Sequence, residues 1–171
     1  VVGSKLLYHD GTIQHAGVVL NRIEGSPYHI YKGFSGDSPM VNQRREFQVV
    51  TGACMLMRRA LFMELGGFDE GFRNSFEDVD LCLKARERGY RVVYQPRSVL
   101  YHLESQTPGR KLHDESNARR LLERWGSHWW LADEDLHYHT GGCKLIIKGT
   151  GDRPVGSVQL LADTRERAAW A

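Results

Sequence analysis

Ser75-Phe76-Glu77-Asp78-Val79-Asp80-Leu81-Cys82-Leu83-Lys84-Ala85-Arg86-Glu87-Arg88-Gly89-Tyr90-Arg91-Val92-Val93-Tyr94-Gln95-Pro96 decides the fold. Its first part predicts a helix from about Phe76 to Arg88. Ser75 is the expected N-cap, Val79 and Leu83 share a face, and Gly89 closes the last turn. Tyr90–Tyr94 then predicts a β-branched and aromatic strand, stopped by Pro96. Ser98–His102 forms a second short apolar segment that ends on a histidine. A helix followed by strands can return the chain to the same rim, bringing Asp78 and His102 around one cleft.

Upstream, Arg59–Leu65 predicts a short helix with Gly66 as its C-terminal cap. Phe47–Met57 reads as a buried strand, with Gly52-Ala53-Cys54 leaving room beside it. Residues 12–48 mix apolar pieces with Gly, Ser, Pro and Asn and read as a loop-rich excursion, the kind of segment that often carries function. Val1–Tyr8 predicts a strand that ends in a turn at His9-Asp10-Gly11. The chain opens on valine in the middle of that strand and reads as part of a longer protein. Downstream, Glu104–Lys111 is polar. Asp114–Trp125 predicts a helix with Leu121, Leu122 and Trp125 inward. Beyond it, Lys144–Ile147 reads as a strand and Arg165–Trp170 as a fraying helix. Residues 1–126 are therefore expected to form one unit and 127–171 a C-terminal extension that could begin another domain.

Composition narrows the function. The 171 residues are 41% apolar and 26% charged with a net charge of +2, which suits a globular domain and gives no pointer to nucleic acid. No apolar run approaches the roughly 20 residues of a membrane span. The three cysteines, Cys54, Cys82 and Cys143, are an odd number without CxxC spacing and read as reduced core thiols.

Glu77, Asp78 and Asp80 put three acids at the start of one helix. Carboxylates there are favoured by the free N–H groups and the helix dipole, so capping alone explains one of them. A carboxylate kept ionised in that position also suits a general base awaiting a hydroxyl proton. His102 follows Asp78 by 24 residues. It reads either as a hydrogen-bonded strand-edge residue or as a neutral imidazole ligand to a divalent metal. Gly52 and Ala53 read as tight packing or as space for a sugar ring. Gly66-Gly67 reads as a cap and a tight turn. His137, His139 and Cys143 have a loose zinc spacing that no second cysteine pair completes. Trp125, Trp129 and Trp130 read as core or as a stacking surface.

Four ordered motifs give a resemblance. They are Thr51-Gly52-Ala53-Cys54-Met55-Leu56-Met57-Arg58-Arg59, Gly66-Gly67-Phe68-Asp69-Glu70, Phe76-Glu77-Asp78-Val79-Asp80-Leu81-Cys82-Leu83, and Gly89-Tyr90-Arg91-Val92-Val93-Tyr94-Gln95-Pro96 followed by Tyr101-His102. Together with Val2–Leu7 and Asp10–Gly17 they resemble family-two inverting glycosyltransferases of the GT-A fold, in particular the rhamnosyltransferase type that builds bacterial surface polysaccharides. The resemblance runs from about Val1 to Trp125.

It implies an incomplete GT-A fold, a mixed sheet flanked by helices. It implies a nucleotide-sugar donor, a saccharide or lipid-linked acceptor, and a Mn²⁺ or Mg²⁺ cofactor. Asp78 matches the general base, Glu77 a residue that orients the acceptor or supports the base, and His102 a metal ligand. Gly52 and Ala53 match the strand edge beside the sugar pocket, and Asp69 the acceptor side. It also implies a cytoplasmic location, extending to the inner face of the membrane.

Two departures qualify the resemblance. The chain begins after the position of the family's Asp-x-Asp, so most of the nucleotide site and metal ligands are expected elsewhere and the isolated chain is expected to be inactive. Leu121 stands where the Gln-x-x-Arg-Trp signature of processive synthases has glutamine. The competing class is a non-catalytic carbohydrate-binding or scaffold module of the same fold, against which the retained Glu77-Asp78 and His102 argue. A zinc hydrolase built on the histidines is a third reading.

Overall fold

The computed structural model describes residues 1–23, 25–103, 110–126, 132–148 and 155–161. In chain order these form β1 (Val2–Leu7), β2 (Ile13–His15), β3 (Val18–Leu20), β4 (Pro27–His29), β5 (Arg45–Phe47), β6 (Met55–Leu56), α1 (Arg59–Glu64), α2 (Glu77–Glu87), β7 (Val92–Tyr101), α3 (Asp114–Trp125), α4 (Glu134–Thr140), β8 (Cys143–Lys148) and β9 (Val155–Leu160).

β1 and β7 are the axis of a five-stranded mixed sheet ordered β2-β1-β7-β5, with β6 on the β1 edge. The two run parallel, while β2, β5 and β6 add antiparallel. Val92, Val93 and Tyr94 are buried, as β-branched and aromatic residues on an inner strand should be. Gly3 permits the close crossing of β1 over Val50, because a Cβ there would lie 2.5 Å from that of Val50.

Pro96 does not stop the strand as expected. Ser4 pairs with Gln95 and Lys5 with Val99, so Pro96–Ser98 leave the β1 register as a bulge and β7 continues to Tyr101. Proline cannot donate to a ladder, and a bulge removes the requirement.

α2 is buried on two sides. Val79, Cys82 and Leu83 join the main core, whereas Leu81 and Ala85 pack against Leu61 and Leu65 of α1 and its cap. Gly66 and Gly89 follow α1 and α2 with φ of +79° and +78°, the left-handed conformation expected after a helix. α3 presents Asn117, Leu121 and Trp125 inward at i, i+4 and i+8, leaving Leu122 48% exposed rather than inward.

Three further expectations change. Residues 12–48 contain four short strands. β3 and β4 form a hairpin pairing Val18 with His29 and Leu20 with Pro27. Phe47–Met57 is not one strand, because β5 ends at Phe47 and Gly52–Cys54 is a 3-10 turn with Gly52 and Ala53 exposed. Ser75 is not the N-cap of α2; that position falls on Phe76.

The segment after residue 126 shares the main core through Tyr138 and Cys143. Asp133 accepts from the Leu20 amide at 3.0 Å, Glu134 accepts from the Arg22 amide and the Tyr28 hydroxyl, and His137 stacks on Phe47 with ring centroids 4.1 Å apart. Lys144–Ile147 is a strand as expected, within β8. Trp129, Trp130 and the expected helix at Arg165–Trp170 lie outside the described residues.

Asp80 is fully buried on α2. Its Oδ1 accepts from Arg124 Nη1 at 2.7 Å and Trp125 Nε1 at 3.0 Å, both on α3, and its Oδ2 pairs with Lys84 Nζ at 2.7 Å. A buried carboxylate is tolerable only with such partners. Asp80→Ala is expected to cost roughly 2–3 kcal/mol, since it removes the hydrogen bonds from Arg124 and Trp125 and the ion pair with Lys84 at a buried position. Urea unfolding of parent and variant at neutral pH measures it.

Candidate functional site

Asp78 stands in the first turn of α2. The N-cap of that helix is Phe76 at φ +71°, which offers no side-chain cap. Asp78 supplies the missing acceptor: its Oδ1 accepts from the Val79 amide at 2.8 Å. Its Oδ2 accepts from the Gly52 amide at 2.6 Å. Both carboxylate oxygens are thus held by backbone N–H groups, one from each wall of a cleft. A side chain at Gly52 would crowd this approach, because a Cβ there would sit 3.0 Å from that of Asp78.

The cleft has a volume of about 360 Å³. One wall is the entry to α2, from Ser75 to Val79. The facing wall is Thr51, Gly52 and Ala53, and the floor and far side are Gln14, Val18, Pro27, His29 and His102. Glu77, Asp78, Gly52, Ala53 and His102, all predicted from sequence, therefore meet at one cavity. Asp69 does not line it. Its carboxylate accepts from the Gly71 amide at 2.8 Å, from Arg120 Nη2 at 2.9 Å and from Arg124 Nη2 at 2.7 Å. Burial alone would push this carboxyl up, but Arg120, the Gly71 amide and Arg124 reverse that and hold it well below the usual carboxylate range.

The acid trio divides in the same way. Residues 78 and 80 lie about 200° apart around a helix at 3.6 residues per turn. Asp78 therefore faces the cleft and Asp80 faces α3.

Beneath the Thr51–Gly52 wall lies His15, fully buried. The Ser4 carbonyl can only accept and the Thr51 amide can only donate. The Nδ1–H of His15 therefore donates to Ser4 O at 2.8 Å, and Nε2 accepts from the Thr51 amide at 3.2 Å. This fixes a neutral imidazole of one tautomer. Burial, and secondarily the neighbouring His29, push its pKa down to about 3. His29 packs edge-on against His15 at 5.2 Å and donates from Nδ1 to the Gln14 carbonyl at 2.7 Å.

His102, at the end of β7, is anchored by its amide to Leu7 O at 2.9 Å. Its Nδ1 is buried with no hydrogen-bond partner among the described residues. That orphaned nitrogen fits a metal ligand. Among the described residues no three His, Cys, Asp or Glu side chains are grouped to hold a metal, His137, His139 and Cys143 included. His137 instead sits 3.2 Å from Asp133 Oδ2.

Sequence reasoning missed Gln14, His29, Thr51 and Phe76. His29 reaches the cleft through pairing with β3, and the available local signal was a histidine inside a segment already expected to carry function. The cost of the turn before α2 was equally hidden. Asn74 and Phe76 both lie at positive φ, +63° and +71°. Asparagine tolerates this region, whereas Phe76 costs about 1–2 kcal/mol relative to ordinary backbone, and such strain concentrates at functional sites.

The glycosyltransferase-like family 2 model matches residues 31–127, more than half of the chain and including both cleft walls. The chain belongs to glycosyltransferase family 2. The described residues thus form a partial GT-A α/β fold.

The chain is 39% identical over 137 residues to the uncharacterized protein y4gI of Sinorhizobium fredii, covering 74% of this chain and 15% of that protein. It is 40% identical over 108 residues to an O-antigen biosynthesis protein of Myxococcus xanthus, covering 61% of this chain and 8% of that one. It is 35% identical over 89 residues to an N-acetylglucosaminyl-diphospho-decaprenol L-rhamnosyltransferase of Mycobacterium tuberculosis, covering 48% and 29%. The chain thus spans less than a third of the length of each. No solved structure matches it. No helix of the described residues is long and apolar enough to cross a membrane.

The tautomer-locked His15 gives a prediction on stability. Its folded pKa lies below the unfolded value of 6.5, so the unfolded chain binds the extra proton between pH 6.5 and about 3. Stability is full above that window and falls by about 1.4 kcal/mol per pH unit on descending through it. His15→Gln, which can both donate and accept but does not titrate, is expected to flatten this part of the profile. Urea unfolding of both proteins at pH 7, 6, 5 and 4 compares the slopes.

Proposed function

We propose that this chain supplies the acceptor-side, base-carrying part of an inverting nucleotide-sugar glycosyltransferase. The observation that carries the reading is the Asp78 carboxylate, held at the cleft wall by the Gly52 and Val79 amides beside Glu77.

In the reaction, an acceptor hydroxyl enters the cleft and gives its proton to Asp78 as its oxygen attacks the anomeric carbon of the donor. The new C–O bond forms as the bond to the diphosphate breaks on the opposite face, so the configuration inverts and the nucleotide diphosphate departs. The two amides on Asp78 fix the direction in which it receives the proton, the positional control that oriented catalysis needs. Glu77 orients the acceptor. The exposed Gly52-Ala53 turn leaves space for the sugar ring. Asp69 serves the site indirectly, by tying the loop before α2 to Arg120 and Arg124.

His102 is this chain's candidate ligand for Mn²⁺ or Mg²⁺, offering its unpartnered Nδ1. Such an ion, when bound, neutralises charge on the leaving diphosphate. The O-antigen biosynthesis and rhamnosyltransferase relatives favour a nucleotide-activated sugar such as rhamnose as donor and a saccharide or lipid-linked acceptor. Those acceptors favour a cytoplasmic reaction at the inner face of the membrane.

Asp78→Asn in the full-length protein is expected to lower kcat by about 10²–10⁴-fold while donor affinity stays within about threefold. Turnover near the parent's would remove Asp78 as the base. Gly52→Ala, which presses a methyl group against Asp78, is expected to lower kcat in the same direction but less. His102→Ala is expected to weaken Mn²⁺ binding, read by electron paramagnetic resonance of the free ion independently of turnover. An unchanged binding curve would take His102 out of the metal site.

A further inference from the structure

Asn117 lies on α3, does not line the cleft, and is buried. Its side chain is spent on one piece of backbone. The Oδ1 accepts from the Arg73 amide at 3.2 Å. The Nδ2 lies 2.8 Å from Arg73 O, 3.2 Å from Ser75 O and 2.9 Å from Ser75 Oγ. Ser75 in turn donates from Oγ to Asp114 Oδ1 at 3.0 Å, at the start of the same helix. Between the two braced residues stands Asn74 at φ +63°, and immediately after them Phe76 at φ +71°. Ser75 and Phe76 both line the cleft, three and two positions before Asp78. No other side chain of the described residues makes as many hydrogen bonds to this turn.

We infer that Asn117 is a positioning residue for the site: it holds the left-handed turn Arg73–Phe76 that sets Glu77 and Asp78 against the Gly52 amide. Asn74 tolerates its left-handed conformation, but the bulky Phe76 does not favour it, so the turn does not keep its shape through local preference alone and needs an external template. Asn117 is suited to the task because one amide group presents both an acceptor and donors to the backbone on the two sides of Asn74. The two arginines one and two turns further along α3 hold Asp69 and stack over Phe72, which fixes the preceding loop but leaves residues 73–76 to Asn117 and, at the Ser75 hydroxyl, to Asp114. The catalytic effect of Asn117 rests on the reading of Asp78 as the base, whereas its bracing of the turn does not.

The test uses Asn117→Ala in the full-length protein, at a temperature where both proteins are fully folded. Bracing predicts faster amide hydrogen exchange confined to residues 73–80. Positioning predicts a kcat lower by about 10–100-fold with donor KM within about threefold, the cost of displacing a catalytic group without removing it. Adding Asn74→Gly, which relieves the left-handed strain, is expected to restore kcat by about threefold or more; a merely structural role would restore thermal stability alone. Arg119→Ala, on the exposed side of α3, is the control and should change neither readout. A kcat within twofold of the parent's, or unchanged exchange at 73–80, overturns the inference. If the parent transfers no sugar, the functional reading falls and the exchange data alone decide the bracing.

Discussion

The position of α2 depends on one buried charge. Asp80 has no access to water, so its carboxylate must find all its partners inside the protein, and it takes them from Lys84, Arg124 and Trp125. Such a cluster adds little net stability over an apolar core of the same shape, but it is intolerant of displacement, because any shift takes partners from a buried carboxylate. α2 and α3 are therefore registered against each other by electrostatics, while the apolar contacts of Val79, Cys82 and Leu83 are more forgiving of small slides. Asp78 sits two residues before this anchor, and inherits its precision from it.

The opposite wall is registered by a neutral group. His15 bridges Ser4 on β1 to the Thr51 amide, and its tautomer is dictated by an acceptor on one side and a donor on the other. Charging it would turn Nε2 into a donor facing the Thr51 N–H, so the wall is built only with the imidazole neutral. The 2.6 Å contact between Gly52 N and Asp78 Oδ2 then closes the two walls on each other. A sheet-based anchor and a helix-based anchor meet at the carboxylate proposed as the base, and both anchors are buried.

Much of this was legible in the sequence. α1, α2, α3 and the start of β7 announce themselves by periodic apolar residues closed by Gly66, Gly89 or a polar boundary, and these signals are local. The meeting of Gly52, Ala53, Glu77, Asp78 and His102 at one cleft follows from matching ordered motifs. What could not be read depends on distant partners. β2 to β5 are three residues each and exist through pairing with each other or with β1 and β7. Ser75 has the right chemistry for an N-cap, but the chain turns left-handed on either side of it, and its hydroxyl finds Asp114 and Asn117 on α3 instead. Pro96 was a sound reason to end a strand, and a bulge set it aside. Asp69 and Asp80 look like site carboxylates until their arginines, some fifty and forty-four positions later, are seen to claim them.

The residues after 126 bear on how the site is kept in shape. His137 stacks on Phe47 at the end of β5, and the Phe47 ring would also overlap a Cβ placed at Gly17. Tyr31 donates to the His137 carbonyl, and Glu134 holds Arg22 and Tyr28 on either arm of the β3–β4 hairpin that carries His29. The hairpin has two short strands, and a two-stranded ribbon is marginal alone. Its buried face, Val18 to Leu20, is instead held between the main core and α4. The segment that resemblance left unassigned thus supports the far side of the cleft, as α3 supports the near side, and the same core runs through both.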